Sequence, residues 1–231
     1  EREMIEQFVS FRADGVILYP LIKDGHDPDY LDILRKNDIP LAFLGGYYLS
    51  TEAPHCMSNL SEAIGELVRH MHVGGCRRFL YMGSCRTVVS NRIKAQAMRD
   101  ALADLDCSFA EDDYIFLEHT NFDCAYRATR KLLAAGRDFD AIVAGDAYSG
   151  FGVYQALTEA GRQIPRDVAI AHMDNLIKPD ICALRMTCVE QNVQKIAASA
   201  VQMLDDLIAG RPARDALIPA KVILRDSTRP V

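Results

Sequence analysis

Apolar residues along the chain gather in short β-branched runs, separated by longer stretches where they recur every three or four positions. The runs "GVILYP", "IPLAFLGG", "RRFLYMGS", "DYIFLE", "FDAIVAG" and "DVAIAHMD" are almost continuously apolar and read as buried strands. Between them "PDYLDILRKN", residues 59–73, "NRIKAQAMRDALADL", "FDCAYRATRKLLAAG" and "GFGVYQALTEAG" carry the helical period. A further helix opens the chain over 1–12, with Met4, Ile5, Phe8, Val9 and Phe11 at its apolar positions. The helix "NVQKIAASAVQMLDDLIAG" has the clearest limits. Asn192 caps it, Ile196, Ala200, Met203, Leu204 and Leu207 share a face, and Gly210 and Pro212 stop it. The closing "ALIPAKVILRDST" is strand-like. Apolar strands alternating with helices in this way specify an α/β protein, a doubly wound parallel sheet covered on both faces.

Ligands of open α/β sheets lie outside the carboxyl ends of the strands, so the residues that follow each run are the candidates for chemistry. Gly45, Gly46, Tyr47 and Tyr48 follow "PLAFL"; Arg86, Arg92 and Lys94 follow "RFLYMG". His119, Thr120 and Phe122 follow the strand ending near Glu118, Asp146 follows "AIVAG", and Asp174 and Asn175 follow "VAIAHM". Each has an ordinary alternative. Asp146 can be a helix N-cap, Tyr47 and Tyr48 loop aromatics, and Asp174–Asn175 a turn. Arg92 and Lys94 are harder to explain as structure. Read into the first turn of their helix, they face its partial positive charge at a cost of about 0.3–1 kcal/mol each. A polar ligand would offset that cost, and three cations in one loop hint at an anionic one. Carboxylates, a cation and aromatic rings along one sheet edge resemble a sugar-type site.

Composition narrows the choice. A 231-residue chain with 49% hydrophobic and 25% charged residues can bury a sizeable core. The net charge of −6 and the absence of a basic cluster argue against nucleic-acid binding by these residues themselves. Seven cysteines without a C-x-x-C pair fit reduced thiols in the cytoplasm. No run approaches the roughly 20 apolar residues of a membrane helix. The phosphate loop G-x-x-x-x-G-K-[ST] is missing, "GFG" at 150–152 lacks the third glycine of a dinucleotide fingerprint, and Ser149 misses G-x-S-x-G. His70 and His72, two apart on one helix, make a poor metal pair. Neither an enzyme nor a metal or cofactor is expected.

The order of the motifs is similar to the effector-binding core of the LacI/GalR family of bacterial transcription repressors. It runs through "ADGVIL", "IPLAFL", "NLSEAIGELVRHMHVGGCRRFLYMGS", "FDAIVAGDAYSGFGVYQALTEAGRQIPRDVAIAHMDN", "MTCVEQNVQKIAASAVQMLDDLIAG" and "VILRDST". This resemblance implies a two-lobed fold of the type I periplasmic-binding-protein kind, with an effector held between lobes. Its boundaries would be 1–74 plus 190–214 for a partial N-terminal lobe and 75–189 plus 215–231 for the C-terminal lobe. The first two strands and first helix of the N-terminal lobe are not expected within these residues. It also implies a cytoplasmic homodimer that senses a sugar or sugar acid and reaches operator DNA only through an N-terminal helix-turn-helix outside this chain. By the same resemblance Asp174 matches a sugar-contacting aspartate, Gln191 a hinge-region polar residue and Glu62 an acidic contact. Lys94 falls in the register of the ligand arginine, with Arg92 two residues earlier. Asp146 stands where the family usually has Asn, and Gly45 where an acidic residue is frequent. The alternative is a solute-binding protein of a sugar transport system with the same fold.

Overall fold

The computed structural model describes residues 1–20, 28–48, 51–85, 88–175 and 184–230. Arg86, one of the three expected cations, lies outside them. The chain divides into two compact units. One holds Glu1–Asn59, Asn192–Pro219 and a short piece ending at Ser90; the other holds a stretch from Leu60, Asn91–Gln191 and a stretch from Ala220.

The first unit is a parallel four-stranded sheet in the order β1 (Val16–Leu18), β2 (Leu41–Leu44), β3 (His55–Asn59), β9 (Ala216–Pro219). Ala42 and Phe43 are neighbours on β2, both wholly buried, and they turn to opposite faces. Phe43 joins Ile5, Tyr30, Leu31 and Leu34, brought by α1 (Arg2–Ser10) and α2 (Leu31–Lys36) with the turn before α2. Ala42 joins Ile196, Ala200 and Met203 of α7 (Val193–Ile208). Gly15 lets α7 lie close, because a Cβ there would come within 2.7 Å of Leu204 Cδ1. Of the apolar face expected on α1, Ile5 is buried while Met4, Phe8 and Phe11 stay exposed.

The second unit is a six-stranded sheet. Its order is β10 (Lys221–Ile223), β8 (Thr187–Glu190), β7 (Ala169–Met173), β6 (Ala141–Ala144), β4 (Phe79–Gly83), β5 (Tyr114–Phe116). All pairs are parallel except β10 with β8. Every residue of β4, β6 and β7 is buried, as strands covered on both faces require. Leu67 and Met71 of α3 (Leu60–Val73) and Met98 of α4 (Val89–Ala103) pack on Phe79 and Tyr81. On the other face α5 (Phe122–Ala134) and α6 (Ala147–Glu159) cover Leu80 and Met82. "GFG" has its use here: a Cβ on Gly152 would sit 2.3 Å from the Phe122 carbonyl oxygen, so α5 and α6 approach closely only because that residue is glycine.

Three readings change. The strand-like ending is two strands in different sheets, β9 parallel in the first and β10 antiparallel at the edge of the second. Strand β3, "HCMSN", lacked a strand pattern because polar residues occupy three of its five positions. Helix α4 begins at Val89, so Lys94 stands in its second turn, where the opposing field of the helix start has faded. Pairing with β3 places β9 in the first unit, and α3 packs on β8 and β10 of the second.

Candidate functional site

In the six-stranded sheet the chain goes from β4 outward to β5, then returns past β4 to β6, β7 and β8. The β4–β6 boundary is therefore the topological switch point, where α/β sheets open a crevice at their carboxyl ends. Gly83 and Ser84 leave β4 there, Gly145 and Asp146 leave β6, Asp174 and Asn175 leave β7, and Gln191 leaves β8.

Residues two positions apart on an α-helix are separated by about 200° of rotation, so Arg92 and Lys94 cannot face the same way. Arg92 is exposed; Lys94 turns inward and is only 8% exposed. Its ammonium donates to the Gly145 carbonyl at 3.1 Å, one of its three N–H groups and the only one with a partner among the described residues. Burial lowers the lysine pKa, and the charges of Asp174 and Asp146 act to raise it.

Asp146 does cap a helix. Its Oδ1 accepts the Ser149 N–H at 2.8 Å and its Oδ2 the Ser149 hydroxyl at 3.1 Å, which fixes the carboxylate at the start of α6. Asp174 adopts a left-handed backbone, φ 73°, that few residues other than glycine, Asn and Asp accept readily. Its N–H donates to the Val189 carbonyl at 2.9 Å, and its Oδ1 accepts the Gln191 side-chain amide. Among the described residues at this edge one ammonium thus stands near two carboxylates. Of the three cations behind the expectation of an anionic ligand, Lys94 has two carboxylates near it, Arg92 is exposed and Arg86 lies outside the described residues.

Two further polar groups border this set. Tyr81 on β4 is completely buried, and its hydroxyl has no hydrogen-bond partner among the described residues. A Cβ on Gly145 would lie 3.5 Å from that hydroxyl, so Tyr81 and Lys94 both approach the same glycine. Burial raises the phenol pKa, which keeps it protonated. His172 on β7 is 5% exposed, its Nδ1 3.0 Å from the Met173 carbonyl, and burial lowers its pKa and favours the neutral ring. In the sequence Tyr81 cannot be told from a core aromatic; its one signal is a hydroxyl two residues before the strand's end.

Lys94, Asp146, Asp174 and Gln191 are brought together. Glu62 is exposed in the first turn of α3. Phe122 opens α5, 39% exposed, with its ring stacked at 6.0 Å on Tyr126. Neither is joined to the set by a described contact. Tyr47 belongs to the first unit, where its ring stacks on His55 at 4.2 Å, while His55 Nδ1 lies 2.9 Å from Asp215. Among the described residues no three His, Cys, Asp or Glu side chains group as a metal site would need, and no helix is long and apolar enough to cross a membrane.

Doubly wound sheets with polar side chains converging at a switch point define a binding domain of the α/β class. A family model described as a periplasmic binding protein-like domain matches residues 68–228, and the chain belongs to that family. It is 25% identical over 215 residues to the HTH-type transcriptional regulator CelR of Thermobifida fusca, covering 92% of this chain and 61% of the relative. It is 27% identical over 235 residues to an uncharacterised HTH-type transcriptional regulator of Streptomyces limosus, covering 99% and 66%. The chain thus spans less than two thirds of these curated relatives' length. Among solved structures, a CelR–cellobiose complex superimposes with a TM-score of 0.87 at 21% identity, covering 98% of this chain and 69% of that one. The expected resemblance to LacI/GalR effector-binding cores is therefore found, and these named relatives are regulators, not enzymes.

Proposed function

We propose that the chain is the effector-sensing core of a LacI-type transcriptional regulator, and that its ligand is an uncharged saccharide held at the carboxyl edge of the six-stranded sheet. One observation carries the reading: Lys94, Asp146, Asp174 and Gln191, distant in sequence, meet at the switch point. Carboxylates and an ammonium form charge-assisted hydrogen bonds to hydroxyls, stronger than those between neutral groups. The mixed charge favours a ligand rich in hydroxyls over a sugar acid or sugar phosphate, whose anion would meet Asp146 and Asp174. The solved relative named with cellobiose supports the saccharide class.

In this reading the regulator is a cytoplasmic homodimer and reaches operator DNA through a helix-turn-helix beyond these residues, as the HTH-type relatives suggest. Ligand binding alters operator affinity only to the extent that it favours one conformation over another. The transport alternative is not favoured, because those relatives are regulators. A thermal-shift screen tests the ligand class, with glucose, galactose, maltose and cellobiose set against gluconate and glucose 6-phosphate. A neutral saccharide should raise the melting temperature in the wild type and not in D174A. Stabilisation by the acids alone, or an unchanged response in D174A, would refute it. Light scattering at micromolar concentration should give twice the chain mass.

A further inference from the structure

The side chains of the closing "RDST" lead back to the turn that holds Asp174. Ser227 bridges β7 and β8, its hydroxyl donating to the Ile170 carbonyl at 2.6 Å and accepting the Thr187 N–H at 2.8 Å. Arg225, anchored by its own N–H to Thr187 Oγ1 at 2.9 Å, sends its guanidinium along β8. Nη1 donates to the Met186 carbonyl at 2.8 Å and lies 3.3 Å from Cys188 Sγ; Nη2 donates to Asn175 Oδ1 at 2.8 Å. The amide of Asn175 is held from its other end as well, Nδ2 donating to Glu190 Oε1 at 2.6 Å. Glu190 in turn is paired with Lys221 of β10 at 2.9 Å. Asn175 and Lys221 both hold its carboxylate below the usual pKa range, so it stays ionised and can only accept.

This chain of partners leaves the Asn175 amide one orientation. A guanidinium only donates and a carboxylate only accepts, so a flip would oppose like groups at both ends. Asn175 is therefore held at both ends, and it is the residue next to Asp174, whose left-handed backbone is sparsely populated without support. We infer that Arg225 is a positioning residue: through the clamped Asn175 amide it fixes the turn that presents Asp174 to the ligand. The planar fork matters as well as the charge, because two of its nitrogens must reach Met186 and Asn175 together. This rests on the saccharide-site reading for its purpose, but the clamp itself can be measured without a ligand.

Amide hydrogen exchange on the whole chain provides that measurement. In R225M and in N175A the Asp174 amide, bonded to Val189, should exchange at least tenfold faster than in the wild type, while amides of β4 and β6 keep their protection. The double variant should exchange no faster than the singles, as expected for one connected network. R225K, which keeps the charge and loses the fork, should behave like R225M. Should R225M fail to fold, N175A removes the clamp while leaving the Arg225–Met186 bond. Wild-type protection in N175A, a rise spread evenly across the sheet, or full rescue by lysine would each overturn the inference. With the neutral saccharide giving the largest thermal shift, both single variants should also lose at least tenfold in affinity. If no saccharide shifts the wild type, the saccharide reading falls, and the exchange result still decides the clamp.

Discussion

In the four-stranded sheet Tyr47 lies on the ring of His55, and His55 meets Asp215 through both its side chain and its N–H. In the six-stranded sheet Lys94 gives one N–H to a carbonyl, and its other two, like the buried Tyr81 hydroxyl, have no partner among the described residues; two carboxylates lie near. Polar residues follow strands in both places. The first set satisfies itself although it is partly exposed to water; the second, more deeply buried, retains capacity that an incoming hydroxyl can meet. An unpaired buried hydroxyl alone costs about 1–3 kcal/mol, a cost the fold tolerates at the switch point.

The sharpest way to break this contrast is to truncate one member of each set. D174A should weaken binding of the stabilising saccharide about 100-fold, or about 3 kcal/mol, as loss of hydrogen bonds to a charged group implies. H55A should leave affinity within about twofold. Titration calorimetry of both variants reads the difference, and equal losses would erase the distinction. Next in size comes a pair of glycines. G152A drives a Cβ into the fixed Phe122 backbone and should cost about 2–3 kcal/mol by denaturant unfolding. G15A meets only the movable ends of Leu204 and Ile208 and should cost about 1 kcal/mol.

Smaller effects probe the buried hydroxyl and the lysine. Y81F removes a polar atom that has no described partner and should raise the stability of the ligand-free protein by about 1 kcal/mol. A loss of similar size would show that the hydroxyl is already satisfied. Lys94 should also leave a trace in pH dependence. Its folded pKa lies below the ordinary 10.5, so between the two values the unfolded chain binds more protons and stability rises with pH. The stability of the wild type relative to K94M should therefore increase from that lowered value up to about pH 10.5. A flat difference across that window would place Lys94 in solvent.

Much of this was legible in the sequence. Apolar runs such as "FLYMG" and "AIVAG" mark strands buried on both faces, and the turn after each one marks the sheet edge where ligand groups collect. Asp146 and Asp174 could be found from that rule alone. That Lys94 turns inward and Arg92 outward follows from the rotational phase of α4, which the residues around the pair did not reveal. Tyr81 was hidden by its apolar neighbours, and the Arg225–Asn175 clamp by 50 residues of separation along the chain. Strand β3 was hidden because pairing to β2 and β9, not its own pattern, holds it in the sheet.

The central claim is that this switch-point set receives an uncharged, hydroxyl-rich ligand. Calorimetric titration of the wild type with the neutral saccharide of largest thermal shift, beside the aldonic acid of the same sugar, tests it most directly. The neutral form should bind at least tenfold more tightly. Equal or tighter binding of the acid would contradict the assignment.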